Sequence, residues 1–176
     1  MPPRDLAGAR ALLAQAGVPH PKVALSVVNN PTDVQVGEVI QSMAAEAGFE
    51  VTLRKGEAVS QTAAAARGDY QAYQVIWSGR PDPDGNLSLW MRCGTSLNWT
   101  GWCSKEMEAA LDRAAAMSDQ AARVTAYREA TEIWMKDMPY MGLYHFTWFW
   151  GLTDKVQGFT PRPDGLVRMA GISMQP

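Results

Sequence analysis

Tyr73-Gln74-Val75-Ile76 runs directly into Trp77-Ser78-Gly79-Arg80-Pro81-Asp82-Pro83-Asp84-Gly85-Asn86. The first four residues, with Trp77, read as a strand. The next stretch, rich in Gly, Pro and Asp, reads as a loop. A hydrophobic strand that stops in such a loop sets polar side chains at the carboxyl end of a sheet, where open α/β sheets bind ligands. The loop brings an indole face, a guanidinium and two carboxylates within eight residues. Those groups suit the grip of a polar organic molecule better than nucleophilic attack or a metal cage.

Upstream, helix and strand patterns alternate. Leu6, Ala9, Leu12, Leu13 and Ala16 recur at helical spacing over Asp5 to Ala16, and Gly17 stops the helix. Val23 to Val28 is an apolar strand. Asn30-Pro31-Thr32 opens a second helix, with Thr32 and Gln35 spaced as a capping box and Val36, Val39, Ile40 and Met43 as its expected apolar stripe. Val51-Thr52-Leu53 reads as a second strand, Glu57 to Arg67 as an Ala-rich helix ended by Gly68, and Tyr73 to Trp77 as the third strand. The order βαβαβ predicts an α/β fold with a mainly parallel sheet flanked by helices.

Downstream, helices dominate. Leu87 to Arg92 suits one or two turns. Ser104 is expected to cap a helix over Lys105 to Met117, with Met107, Leu111 and Ala114 on one face. Ser118 is expected to cap Asp119 to Met138, with Val124, Tyr127, Ala130, Ile133, Trp134 and Met138 as its stripe and Pro139 as its stop. Tyr140 to Leu152 is aromatic and strand-like. Thr153 to Pro176 is loop-rich. No internal repeat is visible.

A chain of 176 residues suits one domain with a proper core. With a net charge of −2 and no basic block, nucleic acid is not an expected partner. No apolar run approaches the roughly 18–20 residues that span a bilayer. Met1-Pro2-Pro3-Arg4-Asp5 has no apolar signal core, and the expectation is that an export signal lies upstream of the given sequence. Cys93 and Cys103 fit no short zinc spacing. The Gly- and Asn-containing segment between them allows a disulfide; two separate buried thiols are the alternative.

Several residues admit two readings. Asp82 and Asp84 are paired acids for hydrolysis, with His145, or else turn formers and ligand contacts. Arg80 clamps a carboxylate or is a solvated loop cation. Trp77 stacks on a ligand or closes the end of a strand. His145, between Tyr144 and Phe146, reads as a hydrogen-bonded core or cleft residue, and His20 as surface. Two distant histidines and a separated cysteine pair argue against a metal site. No Walker A, Gly-x-Gly-x-x-Gly or Gly-x-Ser-x-Gly occurs, so no cofactor is expected. Asn98-Trp99-Thr100 is a glycosylation sequon, read as chance. Seven tryptophans, several on Gly/Asn/Ser-rich loops, suit a cleft wall or a protein–protein interface.

Taken in order, certain segments resemble one family. These are Ala9 to Gly17, Glu38-Val39-Ile40-Gln41, Gly68-Asp69-Tyr70, and Trp77-Ser78-Gly79 running into Asp82-Pro83-Asp84. Asn98, Gly101-Trp102-Cys103, Met107 and Leu111 follow. Arg123, Tyr127, Asp137-Met138-Pro139, Leu143-Tyr144-His145 and Val156-Gln157-Gly158-Phe159 complete the series. Together they resemble the C-terminal lobe of the bacterial extracellular solute-binding proteins of family 5, the dipeptide, oligopeptide and nickel binders that serve ABC importers. The resemblance implies a periplasmic or extracellular, non-catalytic binder whose two lobes close on a solute. Residues 1–152 would form one lobe and residues 153–176 a tail returning toward the hinge or the missing lobe. It implies an ABC permease as partner of the full-length protein, peripheral attachment to the membrane, and a bridge between Cys93 and Cys103.

The expected ligand contacts are Trp77, Ser78, Gly79, Arg80, Asp82, Asn98 and His145. One departure stands out. Peptide-binding relatives carry an aspartate after the Trp-x-Gly step, where it pairs with the peptide's α-amino group; here that position is Arg80. A cation there repels an ammonium and attracts a carboxylate or phosphate. The expectation is a peptide-like, anionic solute, unless Asp82 takes over the aspartate's role. A small hydrolase using Asp82, Asp84 and His145, and a protein-interaction module built on the aromatic surface, are the rival readings. An isolated lobe is further expected to bind weakly and to form a homodimer through its uncovered apolar area.

Overall fold

The computed structural model describes residues 3–175. Met1, Pro2 and Pro176, at the ends of the two expected ranges and at the sequence start read for an export signal, lie outside the described residues. The chain forms two compact units. One is Met1–Ile76 with Ser96–Trp102; the other is Trp77–Thr95 with Cys103–Pro176.

The first unit is the α/β part. Its elements are α1 (Leu6–Gln15), β1 (Lys22–Val28), α2 (Pro31–Ala47), β2 (Glu50–Gly56), α3 (Ala58–Ala66) and β3 (Ala72–Tyr73). The strands pair in the order β2-β1-β3, all parallel, as the βαβαβ pattern predicts. Registers run Lys22 opposite Glu50 to Val28 opposite Gly56, and Leu25 opposite Ala72. Central β1 carries the buried Leu25, Ser26 and Val27, as expected for a parallel strand covered on both faces.

The third strand is shorter than Tyr73 to Trp77. After the Gln74 amide donates to the Ser26 carbonyl at 3.0 Å, pairing stops, and Val75 and Ile76 are exposed. β1 itself ends at Val28, before Asn29 and Asn30 turn into α2, so little ladder remains to extend.

α2 is capped differently from the Thr32–Gln35 expectation. Asn30 Oδ1 accepts the Asp33 amide at 2.9 Å, and Pro31, which has no N–H to leave unsatisfied, takes the first turn. Its stripe is also rotated. Val39 and Met43 are exposed, whereas Asp33 and Gly37 are buried. Two contacts set this phase. The Asp33 carboxylate accepts from Asn30 Nδ2 at 2.7 Å and from buried Gln74 Nε2 at 3.1 Å. Gly37 lies against the sheet so closely that a Cβ would meet Val27 and Leu53 side chains at 3.1 and 3.2 Å.

The second unit is helical: α4 (Asp84–Met91), α5 (Lys105–Ala116) and α6 (Gln120–Asp137), followed by β4 (Val156–Gln157) and β5 (Ser173–Met174). Ser104 Oγ caps α5 by accepting the Met107 amide at 3.2 Å. Met107, Ala110, Leu111 and Ala114 are fully buried on one face, and α6 adds Ala126, Tyr127 and Ala130. Small residues on both helices allow α5 and α6 to pack closely. The α6 cap is Asp119, whose carboxylate accepts the Ala122 amide at 2.8 Å, one residue beyond the expected Ser118. Val124, assigned to the stripe, is exposed.

Tyr140 to Leu152 forms no ladder among the described residues, contrary to its strand-like pattern. Strand identity needs a pairing neighbour, and none is supplied there. The run is nevertheless extended enough for alternate rings to meet: Tyr144 and Phe146 lie 5.1 Å apart, Phe146 and Trp148 5.8 Å. The tail folds back on it. Trp150 contacts Phe159 at 5.3 Å, and β4 pairs antiparallel with β5. Trp148 packs on Gly165 (φ 73°), where a Cβ would collide with the indole.

Candidate functional site

The Trp77–Asn86 loop lies within the second unit and is organised by its last residue. Asn86 Oδ1 accepts from the Trp77 indole Nε1 at 2.9 Å and from the Arg80 amide at 2.7 Å. Its Nδ2 donates to the carbonyls of Arg80 at 2.9 Å and Asp82 at 3.1 Å. A primary amide suits this place because it both accepts and donates. Asn86 was not among the expected contacts. Its signal in the sequence is the position itself, an amide at the entry of a helix after Pro-Asp-Gly.

Arg80 is held in place by its neighbours. Its guanidinium carbon sits 4.4 Å from the Trp77 ring centroid, a cation–π geometry. Nη1 donates to Ser78 Oγ at 3.2 Å and to the Gly79 carbonyl at 2.7 Å. Among the described residues Arg80 has no ion-pair partner, and its Nε and Nη2 donors make no hydrogen bond. Trp77 in turn meets Trp90 edge-on at 5.4 Å, and Trp90 meets Tyr140 in the same way at 5.4 Å. The indole is thus both a packed side chain and the platform for the guanidinium.

Asp82 is already engaged. Its two oxygens accept from Arg123 Nη1 and Nη2, each at 2.8 Å, and Oδ1 also accepts the Asp84 amide at 2.8 Å. The Arg123 guanidinium, helped by that amide, holds the Asp82 carboxyl below its ordinary value of 3.8. Arg123 also donates to Tyr127 Oη at 3.3 Å and to the Ala114 carbonyl at 3.3 Å. The pair therefore ties the loop to α6. Because the folded-state value is depressed, its contribution is fully present above the ordinary carboxylate value and is lost as pH falls through the lowered one. Protection of the Asp84 amide is expected to decay only below about pH 4. Hydrogen exchange across a pH series checks this, and Asp82→Asn should remove the acid step.

Asp84 opens α4, where an acidic residue suits the helix dipole, and it accepts from Ser88 Oγ at 2.6 Å. Ser88 Oγ accepts from Arg92 Nε at 3.2 Å, and Arg92 pairs with Glu108 and Asp112 at 2.8 Å each. Glu108 also accepts the Cys93 amide at 2.7 Å. Cys93 and Cys103 are disulfide-bonded with Cα atoms 4.8 Å apart, the first of the two cysteine readings.

Asn98 belongs to the first unit, where its Nδ2 donates to the Trp102 carbonyl at 2.7 Å and its Oδ1 accepts from Thr100 Oγ1 at 3.0 Å. His145 is exposed in the aromatic run, and among the described residues no hydrogen bond joins it to Asp82 or Asp84. Beside the loop is a cleft of about 470 Å³. Ser78, Gly79, Arg80 and Pro81 form one wall, and Arg162, Pro163, Asp164 and Arg168 of the tail form the other. No helix is long and apolar enough to cross a membrane, and no cluster of metal-ligating side chains occurs, among the described residues.

Comparison with known proteins adds the lineage. The family model for bacterial extracellular solute-binding proteins, family 5 Middle, matches residues 1–98. Di/tripeptide-binding protein 4 of Pseudomonas aeruginosa is 28% identical over 186 residues, covering 99% of this chain and 34% of that protein. HbpA2 from Haemophilus parasuis superposes with a TM-score of 0.73 at 26% identity over 98% of this chain and 36% of that one. The ABC transporter-associated periplasmic binding protein DppA from Helicobacter pylori, solved with the peptide STSA, gives 0.75 at 25% identity over 98% and 35%. The chain thus spans about a third of the length of these relatives. With its parallel α/β unit and the matched model over more than half its length, the chain belongs to the bacterial extracellular solute-binding proteins of family 5.

Proposed function

We propose that this chain is part of the solute-binding component of an ABC importer and that its Trp77–Asn86 loop holds a peptide-like solute carrying an anionic group. The carrying observation is the contrast between Arg80 and Asp82. Asp82, the residue able to receive a peptide ammonium, is spent on Arg123. Arg80 is stacked and oriented, with one edge of its fork uncommitted. A guanidinium fixed in this way matches a carboxylate in two-point geometry. The names of the relatives, di/tripeptide-binding and peptide-complexed, support the solute class.

In this reading residues 1–152 act as one lobe and residues 153–176 as the returning tail. Trp77 supplies apolar contact, and Ser78 and Gly79 supply main-chain donors, as the lobes close. The protein works outside the cytoplasmic membrane, delivers solute to a permease and performs no chemistry on it. One lobe covers only part of the solute surface that a closed two-lobed binder buries, so affinity is expected in about the millimolar range.

Calorimetric titration with dipeptides, N-acetylated peptides and glutathione tests this. An anionic peptide should bind, release no product, and lose about tenfold in affinity in Arg80→Ala. Equal binding of ordinary dipeptides by both proteins would return the contact to Asp82. Product release would contradict the non-catalytic reading.

A further inference from the structure

We infer that Arg162 of the tail and Arg80 of the loop form a two-guanidinium subsite for a side-chain carboxylate of the solute. This deepens the proposed function and rests on its reading that the Trp77–Asn86 loop faces the solute. Three arginines line the cleft, but they are not equivalent. Arg168 donates to both oxygens of Asp164, at 2.9 and 2.6 Å. Asp164 also accepts the Leu166 amide at 3.1 Å. Those two charges cancel. Arg80 and Arg162 have no carboxylate partner among the described residues, so the cleft keeps two uncompensated positive charges. Like charges sharing a cleft repel, and an anion between them relieves that cost.

The tail segment is held in place. The Gly165 amide donates to the Arg162 carbonyl at 3.0 Å, Asp164 fixes Leu166 and Arg168, and Trp148 packs on Gly165. Arg162 is therefore presented by a turn whose geometry is set by its own neighbours. The cleft volume of about 470 Å³ falls in the range of small organic ligand sites, roughly 300–1,000 Å³. That is room for an organic body behind the anionic head and more than a bare ion needs. Pro81 and Pro163, which have no N–H, stand on the two walls, so the arginines are the charged donors for the head group, with the Ser78 and Gly79 amides beside them.

The test uses the 176-residue chain and arginine Nε–Hε resonances, titrated with glutarate, inorganic phosphate, Ala-Glu and Ala-Gln. Arg80 and Arg162 signals should shift saturably with glutarate. Ala-Glu should bind about fivefold or more tightly than Ala-Gln. Arg162→Gln should weaken Ala-Glu by about the size of that preference, about fivefold or more, and so abolish it, leaving Ala-Gln unchanged. Arg113→Gln, on α5 and paired with Glu129, should change nothing. If Arg162→Gln leaves both dipeptides unaffected, the subsite is wrong while the peptide reading stands. If glutarate binds and depends on Arg162 but neither dipeptide binds, the subsite stands and the peptide reading fails. Phosphate binding more tightly than glutarate would overturn the assignment to carboxylates, and no saturable shift with any anion would overturn the subsite.

Discussion

Asn86→Ala is expected to release the loop without unfolding the helices behind it. The substitution removes four hydrogen bonds at once: two accepted, from the Trp77 indole and the Arg80 amide, and two donated, to the Arg80 and Asp82 carbonyls. Part of the loop is exposed, so water recovers some of this. The net loss of stability should be about 1–2 kcal/mol rather than the sum over four bonds. The local effect is larger. Exchange at the Arg80 amide should rise by two orders of magnitude or more, roughly the loss of its protected state, and the Trp77–Arg80 stack should lose its fixed geometry. Asn86→Asp separates the roles. It keeps both accepted bonds at Oδ1, loses both donated by Nδ2 and sets a carboxylate against two carbonyls, so the indole contact should persist while the Arg80–Asp82 backbone loosens. Indole Nε1–H shifts, read in both variants, distinguish these outcomes.

Leu111→Ala is expected to cost the most stability of any single truncation in the second unit. Leu111 is fully buried on α5 beside Met107, Ala110 and Ala114. The facing α6 residues include Ala126 and Ala130, whose short side chains cannot swing in to fill the void. The loss should be about 3–4 kcal/mol, within the range for buried leucine. Denaturant unfolding checks it, and a loss below about 1 kcal/mol would mean that the α5–α6 core collapses around the gap. Because α6 carries Arg123 and α5 carries Glu108, which accepts from Arg92 and Cys93, destabilising this pair should also loosen both flanks of the loop.

Much of the fold was legible because it is local. Asp5 to Ala16, Ser104 to Met117 and the βαβαβ order announce themselves through spacing, caps and stops. The features that escaped are non-local. The phase of α2 is set by Asp33 reaching Gln74, 41 residues on, and by Gly37 touching the sheet, so a search for apolar stripes chose Val39 and Met43. Tyr140 to Leu152 has strand composition, but composition cannot supply a neighbour. The same holds at the candidate site. The loop and Arg80 stand out in the sequence. Asp82's engagement by Arg123 is again 41 residues distant, and the placement of Arg162 depends on the tail folding back. Asn86 is the exception, local yet overlooked, because an asparagine at a helix start also reads as an ordinary turn residue.

The most direct measurement is a chemical-shift map of the chain titrated with an acidic peptide. If the Trp77–Asn86 loop grips the solute, the Trp77 indole Nε1–H and the Arg80 side chain should shift together and saturate at one common affinity. Saturable shifts confined to the exposed Tyr144–Trp148 run, with the loop silent, would contradict it and make the aromatic surface the binding face.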